Sequence, residues 1–189
     1  MKHLGTVELK TDRLVLRRFT LADAQAMFDN WASDPEVTAY LTWPAHGSVE
    51  ISRMVLESWV REYDRLDYYQ WAIEYDGAPI GSIAVVHGND LAQKVEIGYC
   101  IGKDWWHRGF VSEALAEVIR FFFEEVGANR VEARHDSQNP NSGAVMRKCG
   151  MRYEGTMRGA DWNNQGICDT CCYGILRSDY DEKRSELGC

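Results

Sequence analysis

Hydrophobic and polar positions follow two different periods along this chain, and the change occurs near Tyr69. Before that point, a short apolar strand from Leu14 to Phe19 precedes two segments in which apolar residues recur every three or four positions. This spacing predicts two amphipathic helices, capped by Thr20 and Ser48. The second helix is expected to extend to about Arg65 and to bury one face. The residues expected on that face are Ile51, Met54, Val55 and Trp59.

From Tyr69 onward, apolar residues alternate with polar ones, as they do in β-strands. Three such runs predict a meander whose last strand extends from Lys94 to Ile101. The chain then predicts a helix that begins at Ser112, a strand over 130–135, a short helix over 142–149 and a hairpin that turns at 163–166. This order predicts a mixed α/β or α+β fold with helices on both faces of one sheet.

Length and charge limit the class of protein. The 189 residues contain no repeat and no linker, so we expect a single domain over 1–189 whose last ten or so residues form a solvated tail. No apolar run approaches the roughly 20 residues of a membrane-spanning helix, which predicts a cytoplasmic protein without a membrane partner. The net charge of −8 disfavours nucleic acid and favours cationic ligands such as amines.

The cysteines of the chain are expected to be free thiols packed as small hydrophobic residues, as in a reducing compartment. They are Cys100, Cys149, Cys168, Cys171, Cys172 and Cys189. The three that lie close together, at 168, 171 and 172, lack the second ligand pair that a zinc site requires. We therefore expect no metal.

The segment from Val95 to Phe122 carries the strongest chemical signal. It joins a strand to an amphipathic helix through a turn in which Gly109 precedes the helix. Backbone N–H groups from about Arg108 to Ser112 would then converge at the positive helix end and bind an anion such as a pyrophosphate. Glycine permits close approach of the ligand. An ordinary tight turn is the alternative interpretation of the same residues.

Four segments, in this order, identify a family. They are LKTDRLVLRRFTLADAQAMFD, IGYCI, WWHRGFVSEAL and NPNSGAVMRKCGM. Together they resemble the GNAT superfamily of acyl-CoA-dependent N-acetyltransferases, and within it the RimJ/RimL type that acetylates ribosomal protein N-termini. The resemblance implies a twisted, mostly antiparallel sheet of about seven strands flanked by about four helices, with acetyl-CoA as the co-substrate.

The resemblance also implies where acetyl-CoA binds. The sheet is expected to splay beside the IGYCI strand, so that backbone groups of this strand bind the pantetheine arm. The pyrophosphate loop would bind the phosphates, and Asn139, at the start of the last helix, would bind the CoA arm; capping of that helix is the alternative role for Asn139. The implied CoA-binding residues are Tyr99, Cys100, Ile101, His107, Arg108, Gly109, Phe110, Val111, Ser112 and Asn139.

Acetyl transfer requires a neutral amine, a polarised carbonyl and a proton for the departing thiolate. Glu96, in the central strand, is the candidate base, although a glutamate in a meander strand is also commonly solvated or salt-bridged. Ser142 is the candidate acid by resemblance, and helix capping is its alternative role. Four aromatic residues are candidates to line the acceptor cleft, with the hydrophobic core as their alternative location. These four are Trp31, Tyr40, Trp43 and Trp71.

The acceptor predicted from the resemblance is the α-amine of a protein such as a ribosomal protein. An α-amine, with a pKa of about 7.7–8.0, is partly neutral already at pH 7, whereas lysine, at about 10.4, is not. A small amine, for example a polyamine, an amino acid or an antibiotic, is the alternative acceptor. Val111 replaces the small residue usual in the family's loop, which leaves a non-catalytic acyl-CoA-binding module as a third possibility. A homodimer is also expected from the resemblance.

Overall fold

The computed structural model describes residues 1–186, which form eight strands and six helices. The strands are β1 (Leu9–Lys10), β2 (Val15–Arg17), β3 (Gln70–Tyr75), β4 (Ala78–Asn89), β5 (Lys94–Ile101), β6 (Arg130–Asp136), β7 (Arg152–Asn163) and β8 (Gly166–Leu176). The helices are α1 (Ala24–Met27), α2 (Pro35–Thr38), α3 (Val49–Glu62), α4 (Phe110–Phe121), α5 (Pro140–Lys148) and α6 (Arg177–Glu186). Both α1 and α4 continue into π-helical turns, over Phe28–Ala32 and Phe122–Val126.

All eight strands of the described chain belong to one sheet, in the order β1-β2-β3-β4-β5-β6-β8-β7. Neighbouring strands are antiparallel except for β5 and β6, which are parallel. The predicted mixed, mostly antiparallel sheet is therefore confirmed. The additional strand is β1, which at two residues is too short to show an alternating pattern.

The sheet separates two hydrophobic clusters. Trp71 and Ile73 on β3 belong to the larger cluster, whereas Ala72 between them belongs to the other, because successive strand residues point to opposite faces. Helix α4 packs on the larger cluster through residues spaced three or four apart, such as Leu115 and Val118. Helices α1 and α3 contribute to the second cluster. This sandwich holds the central strand β5 between two packed layers.

The buried face of α3 agrees with the prediction at Val55 and Trp59, which pack against the second cluster, and differs from it at the other two residues. Ile51 and Met54 are 42% and 67% exposed, while Ser52 and Leu56 are fully buried. The Oγ atom of Ser52 lies 2.8 Å from His46 Nδ1 in a buried hydrogen bond, so a polar contact lies on the buried face of the helix. Apolar spacing alone cannot reveal such a contact, because a buried serine reads as a surface residue.

Residues 181–186 of the predicted solvated tail are the last part of helix α6, and residues 181–185 are exposed. This helix is held against the protein by polar contacts: the Tyr180 hydroxyl donates to Glu124 over 2.7 Å, and Arg152 lies 2.7 Å from Asp179. The last three residues of the predicted tail, including Cys189, lie outside the described residues. None of the helices in residues 1–186 is long and apolar enough to cross a membrane.

Candidate active site

Strands β5 and β6 form a fork. Within the described chain they pair only from Lys94 to Glu96 on β5 and from Arg130 to Glu132 on β6. Beyond Glu96, β5 remains paired with β4 on its other side, while β6 remains paired with β8 as far as Asp136. The two strands therefore diverge, and the predicted splay of the sheet is present at the predicted strand.

The backbone of β5 presents alternate residues to the fork. Gly102 N–H donates to Ile80 of β4 over 2.9 Å, and hydrogen-bonded pairs of an antiparallel ladder recur every second residue. Cys100, which is paired with Ser82, therefore bonds to β4, whereas Tyr99 and Ile101 direct their backbone groups to the open side. Of the three residues predicted to bind pantetheine through the backbone, Cys100 has its backbone groups directed to β4, and its contact with pantetheine stays a prediction. The Ile101 carbonyl also accepts a hydrogen bond from Trp106 Nε1 over 3.0 Å.

A cavity of about 430 Å³ opens at the fork. Its walls are the end of β5, the loop before α4, the first turn of α4, one face of α5, and the segment around α2. Nine of the ten predicted CoA-binding residues line it, together with Ser142 and Tyr40. These nine are Tyr99, Cys100, Ile101, His107, Gly109, Phe110, Val111, Ser112 and Asn139.

Gly109 gives this cavity its anion cradle. Its φ of +80° is left-handed, and His107, two residues earlier, also has a positive φ of 58°. The first amides of α4 have no partner within the helix and point out of its N-terminus. A methyl group built on Gly109 would lie 3.5 Å from Arg13 Nη2 and 3.6 Å from Lys148 Nζ. The space above Gly109 is therefore bordered by two cations and by helix amides, which fits a phosphate group.

Arg13 and Arg108 stabilise the loop that carries this cradle. Arg13 donates to Glu113 in the first turn of α4 over 2.7 Å and to the Arg108 carbonyl over 3.1 Å. The Arg108 guanidinium lies over the Phe110 ring at 4.9 Å and does not line the cavity in the described structure. The cation thus packs against an aromatic face, and the phosphate contact from Arg108 stays a prediction.

Val111, the residue that departs from the family's loop, is partly buried. Its side chain packs against the larger hydrophobic cluster and also borders the cavity. The branched side chain thus finds apolar neighbours in the core, and its backbone N–H keeps its position in the first turn of α4.

Ser142 lies at the start of α5 in a pair with Tyr99 from β5. The Ser142 Oγ is 2.9 Å from the Tyr99 hydroxyl, which also donates to the Ser142 carbonyl over 3.1 Å. Burial raises the pKa of Tyr99, while the hydrogen bond with Ser142 lowers it by less. Asn139, at the N-cap of α5, makes no side-chain capping bond within the described chain, so its amide faces the cavity without that partner.

Glu96 is the last β5 residue that pairs with β6, and it is not among the described residues that line the cavity. Its side chain is nine-tenths buried, and Arg134 lies 3.0 Å from its Oε2 atom. The arginine N–H groups do not point at that oxygen, which accepts no hydrogen bond from the described residues. Burial raises the pKa of Glu96, and the positive charge of Arg134 opposes part of this rise.

The prediction that four aromatic residues line the acceptor cleft is wrong for two of them. Trp31 and Trp71 are completely buried in the two hydrophobic clusters, so neither can meet a ligand. Trp43 packs partly buried against the second cluster, with its ring 5.3 Å from that of His46, and does not line the cavity in the described chain. Tyr40 lines the cavity and is 37% exposed.

Comparison with known proteins agrees with this geometry. A family model described as an acetyltransferase (GNAT) domain matches residues 13–152. The uncharacterized N-acetyltransferase YoaA of Bacillus subtilis is 33% identical over 174 residues, which cover 89% of this chain and 96% of the relative. The chain belongs to the GNAT acetyltransferase family.

Two further GNAT comparisons concern proteins with named substrates. The ribosomal protein uS5-alanine N-acetyltransferase of Escherichia coli is 27% identical over 161 residues, covering 79% of this chain and 80% of the relative. The solved structure of RimL, a ribosomal α-N-protein acetyltransferase in complex with coenzyme A, superposes with a TM-score of 0.81. At 18% identity over 90% of this chain and 98% of RimL, that likeness shows the fold alone.

Several residues that line the cavity of this GNAT acetyltransferase were not predicted. Val145 and Lys148 follow Ser142 at intervals of three along α5, so one helix face carries all three. The spacing of these three residues within NPNSGAVMRKCG could have predicted this shared helix face. The other unpredicted lining residues are Glu36, Val37, Leu41, Trp105, Trp106, Asn141 and Ala144.

Proposed function

We propose that this N-acetyltransferase transfers the acetyl group of acetyl-CoA to the α-amine of a protein N-terminus in the cytoplasm. The names of its ribosomal-protein-modifying relatives support this acceptor, since two of the compared proteins are described as acetylating ribosomal proteins. The family membership supports the reaction class.

The fork between β5 and β6 supports acetyl-CoA as the acyl donor. The backbone groups of Tyr99 and the N–H of Ile101, which are directed to the open side of β5, suit the amide-rich pantetheine arm, which adds to a strand edge as another strand would. The Gly109 cradle, bordered by Arg13 and Lys148, suits the phosphates of CoA. The cavity joins these two regions, so one extended ligand with both chemistries fits it.

The observation that supports an α-amine as the acceptor is the distribution of carboxylates around the cavity. Among the described lining residues, Glu36 is the only carboxylate, and its Oε1 is 2.5 Å from Lys103 Nζ. A lysine acceptor, with a pKa of about 10.4, would need a strong base in the cavity. An α-amine, at about 7.7–8.0, is partly neutral at pH 7 and needs only modest assistance. A cavity with one salt-bridged carboxylate therefore favours the α-amine.

In the reaction, the amine nitrogen bonds to the thioester carbonyl carbon and the C–S bond breaks. The proton lost by the nitrogen passes to a base, and the CoA thiolate takes up a proton from an acid. We assign the acid to Ser142, whose Oγ is 2.9 Å from the Tyr99 hydroxyl. Tyr99 stays protonated because burial raises its pKa, so its hydroxyl orients Ser142 by hydrogen bonding and keeps its own proton, and Ser142 regains the proton that it gives up from solvent.

Glu96 is the proposed base. Its raised pKa suits a group that must take a proton near neutral pH, and its Oε2 has no hydrogen-bond donor in the described chain. Because Glu96 lies at the vertex of the fork and not on the cavity wall, the proton would reach it through water. Arg134, 38% exposed and 3.0 Å away, partly covers the carboxylate.

The test is acetyl-CoA turnover over a matched set of acceptors. Peptides with a free N-terminal alanine or serine are compared with the same peptides blocked at the N-terminus and carrying an internal lysine, and with polyamines, amino acids and aminoglycosides. We expect CoA release and a mass gain at the α-amine of the free peptides. Saturation by a small amine instead would establish the alternative acceptor, and binding of acetyl-CoA without turnover of any amine would establish a non-catalytic module.

A further inference from the structure

Arg134 covers the carboxylate at the vertex of the fork without being hydrogen-bonded to it. It lies on β6 opposite Cys172 of β8, and its side chain is 38% exposed, whereas that of Glu96 is 10% exposed. Its Nη2 atom lies 3.0 Å from Glu96 Oε2 and 4.0 Å from Glu132 Oε1. The first contact is misaligned for a hydrogen bond and the second is too long for one. The guanidinium therefore acts on Glu96 through its charge.

The two buried carboxylates beside Arg134 depend on it to different degrees. Glu132 accepts hydrogen bonds from Lys94 over 2.7 Å and from Arg130 over 2.8 Å, so it has two cations of its own. Glu96 Oε2 accepts no hydrogen bond from the described residues. Removal of the Arg134 charge would therefore leave Glu132 paired, and its effect would fall on Glu96.

The other titratable groups around Glu96 in the described chain do not supply a replacement charge. His87 of β4 is paired with Glu96 in the ladder and is exposed to solvent, which screens its charge. Lys94 of β5 is held by Glu132 of β6, whose own negative charge opposes ionisation of Glu96. Burial raises the pKa of the Cys172 thiol on β8, so this thiol stays neutral at pH 7.

We propose that Arg134 is a positioning residue for the acetyl transfer, whose charge keeps Glu96 ionised at neutral pH so that its carboxylate can accept the amine proton. The proton leaves the amine nitrogen through water, neutralises the carboxylate and passes to solvent before the next cycle. The guanidinium keeps all of its protons throughout. Burial without a counter-charge favours the protonated form of a carboxyl group, and a protonated Glu96 is no base. This inference rests on the proposed function.

Two substitutions separate the charge of Arg134 from its other properties. Arg134→Gln removes the charge and keeps a polar side chain, while Arg134→Lys keeps the charge. Because Arg134 is more than one-third exposed and forms no hydrogen bond with Glu96, both variants are expected to fold. Arg152→Gln is the matched control. Arg152 is 70% exposed, pairs with Asp179 over 2.7 Å, and is not among the charges that act on Glu96.

The first experiment measures kcat/KM from pH 5 to 9 for one peptide with a free N-terminus, with the wild type and the three variants. Arg134→Gln is expected to move the acid limb upward by about one pH unit or more, the effect of removing an opposite charge at this distance. On the acid side of the limb kcat/KM then falls about tenfold, and at pH 9 it stays near the wild-type value. Arg134→Lys is expected to keep most of the wild-type profile, and Arg152→Gln all of it. Titration of the peptide α-amine is common to the four proteins.

A second readout does not require turnover. Carbon-13 NMR of protein labelled at the glutamate carboxyl groups follows the ionisation of Glu96, whose signal is the one missing from Glu96→Gln. Its midpoint is expected to rise in Arg134→Gln by the same amount as the acid limb of the rate profile. A loss of positioning by the fold alone would instead lower kcat/KM equally at every pH and leave the NMR midpoint in place.

The two readouts separate this inference from the proposed function. An NMR midpoint that is the same in Arg134→Gln and in the wild type overturns the inference and leaves the acetyl transfer standing. A raised NMR midpoint with an unmoved rate profile overturns Glu96 as the base, and the role of Arg134 in the reaction with it. A wild type that acetylates no amine overturns the proposed function, and the NMR titration alone then decides whether Arg134 controls the ionisation of Glu96.

Discussion

The two halves of the β5–β6 fork differ in how completely their polar groups are paired. In the closed half, Glu132 accepts from Lys94 over 2.7 Å and from Arg130 over 2.8 Å, and Arg130 also binds Glu154. In the open half, the buried His135 Nε2 has no hydrogen-bond partner among the described residues. The Asn139 side chain likewise makes no capping bond in that part of the chain.

This difference indicates that the closed half stabilises the fold and that a ligand is expected to bind in the open half. A buried polar group without a partner is costly, so a folded protein usually pairs it. The ion pairs of the closed half follow this rule across three strands, whereas Glu96, at the vertex, has an oxygen that accepts no hydrogen bond from the described residues. The open half leaves a backbone edge, a helix N-terminus and polar side chains available, which is the arrangement expected of a surface that an extended polar ligand completes.

Glu96, at the vertex of the fork, offers the largest expected effect on activity. If it accepts the amine proton, Glu96→Gln lowers kcat/KM by about 100-fold or more, the usual contribution of a positioned base. The raised pKa of Glu96 also places the acid limb of the wild-type pH profile above the ordinary range for glutamate, and the variant loses that limb. Turnover measured from pH 5 to 9 checks both effects, with Glu154→Gln as the control. A pH profile of Glu96→Gln equal to that of the wild type would show that Glu96 has only a structural role, like the ion pairs of the closed half.

In the closed half, Glu132→Gln is expected to reduce the free energy of unfolding by about 3 kcal/mol, because it leaves two cations facing a neutral amide in a buried site. Burial alone would raise the pKa of Glu132, but the hydrogen bonds from Lys94 and Arg130 outweigh it and lower the pKa. The stabilisation is therefore present above the ordinary carboxylate range and disappears as the pH falls through the lowered pKa.

Urea unfolding of the wild type and of Glu132→Gln at pH 7 and at pH 3 measures this stabilisation. The difference between the two proteins should shrink at the lower pH. Glu154, whose side chain is 42% exposed, is the matched control, and Glu154→Gln is expected to cost less than about 1 kcal/mol. Equal losses in both variants would contradict the distinction between buried and exposed ion pairs.

The smallest expected effect separates ligand binding from backbone strain in the open half. Gly109 and Gly127 have nearly the same left-handed φ, +80° and +78°, but only Gly109 borders the cavity in the described chain. Alanine at either position is expected to cost about 1–2 kcal/mol in folding. Gly109→Ala is expected in addition to weaken acetyl-CoA binding by about tenfold, the loss of one hydrogen bond. Calorimetry that finds equal affinities in the two variants would place the phosphates elsewhere.

Local patterns in the sequence predicted the elements that build the site. Gly109 before an amphipathic segment correctly indicates a turn at a helix start, and Asn163 to Gly166 correctly marks a hairpin turn. These signals work because left-handed turns and helix caps depend on a few adjacent residues. The fork itself was expected only from the family resemblance, since no local pattern states which strand edge stays open.

Contacts between distant segments were not predictable in the same way. Trp31 and Trp71 have the aromatic character expected of a cleft, and only the packing of two layers against the sheet shows that both are buried. The sequence alone does not show that Asn164 contacts Thr38, because the residues of a turn do not indicate which distant segment the turn will contact.

The sequence by itself therefore determined the family, the order of helices and strands, and the loop that carries Gly109, because each depends on short-range spacing or on motifs in a fixed order. Only the tertiary structure decided which polar groups are paired and which face the cavity. It set Glu96 at the vertex with Arg134 and brought the β7–β8 turn across the cavity walls. The physical reason is that pairing and burial depend on segments that fold together from far apart in the chain.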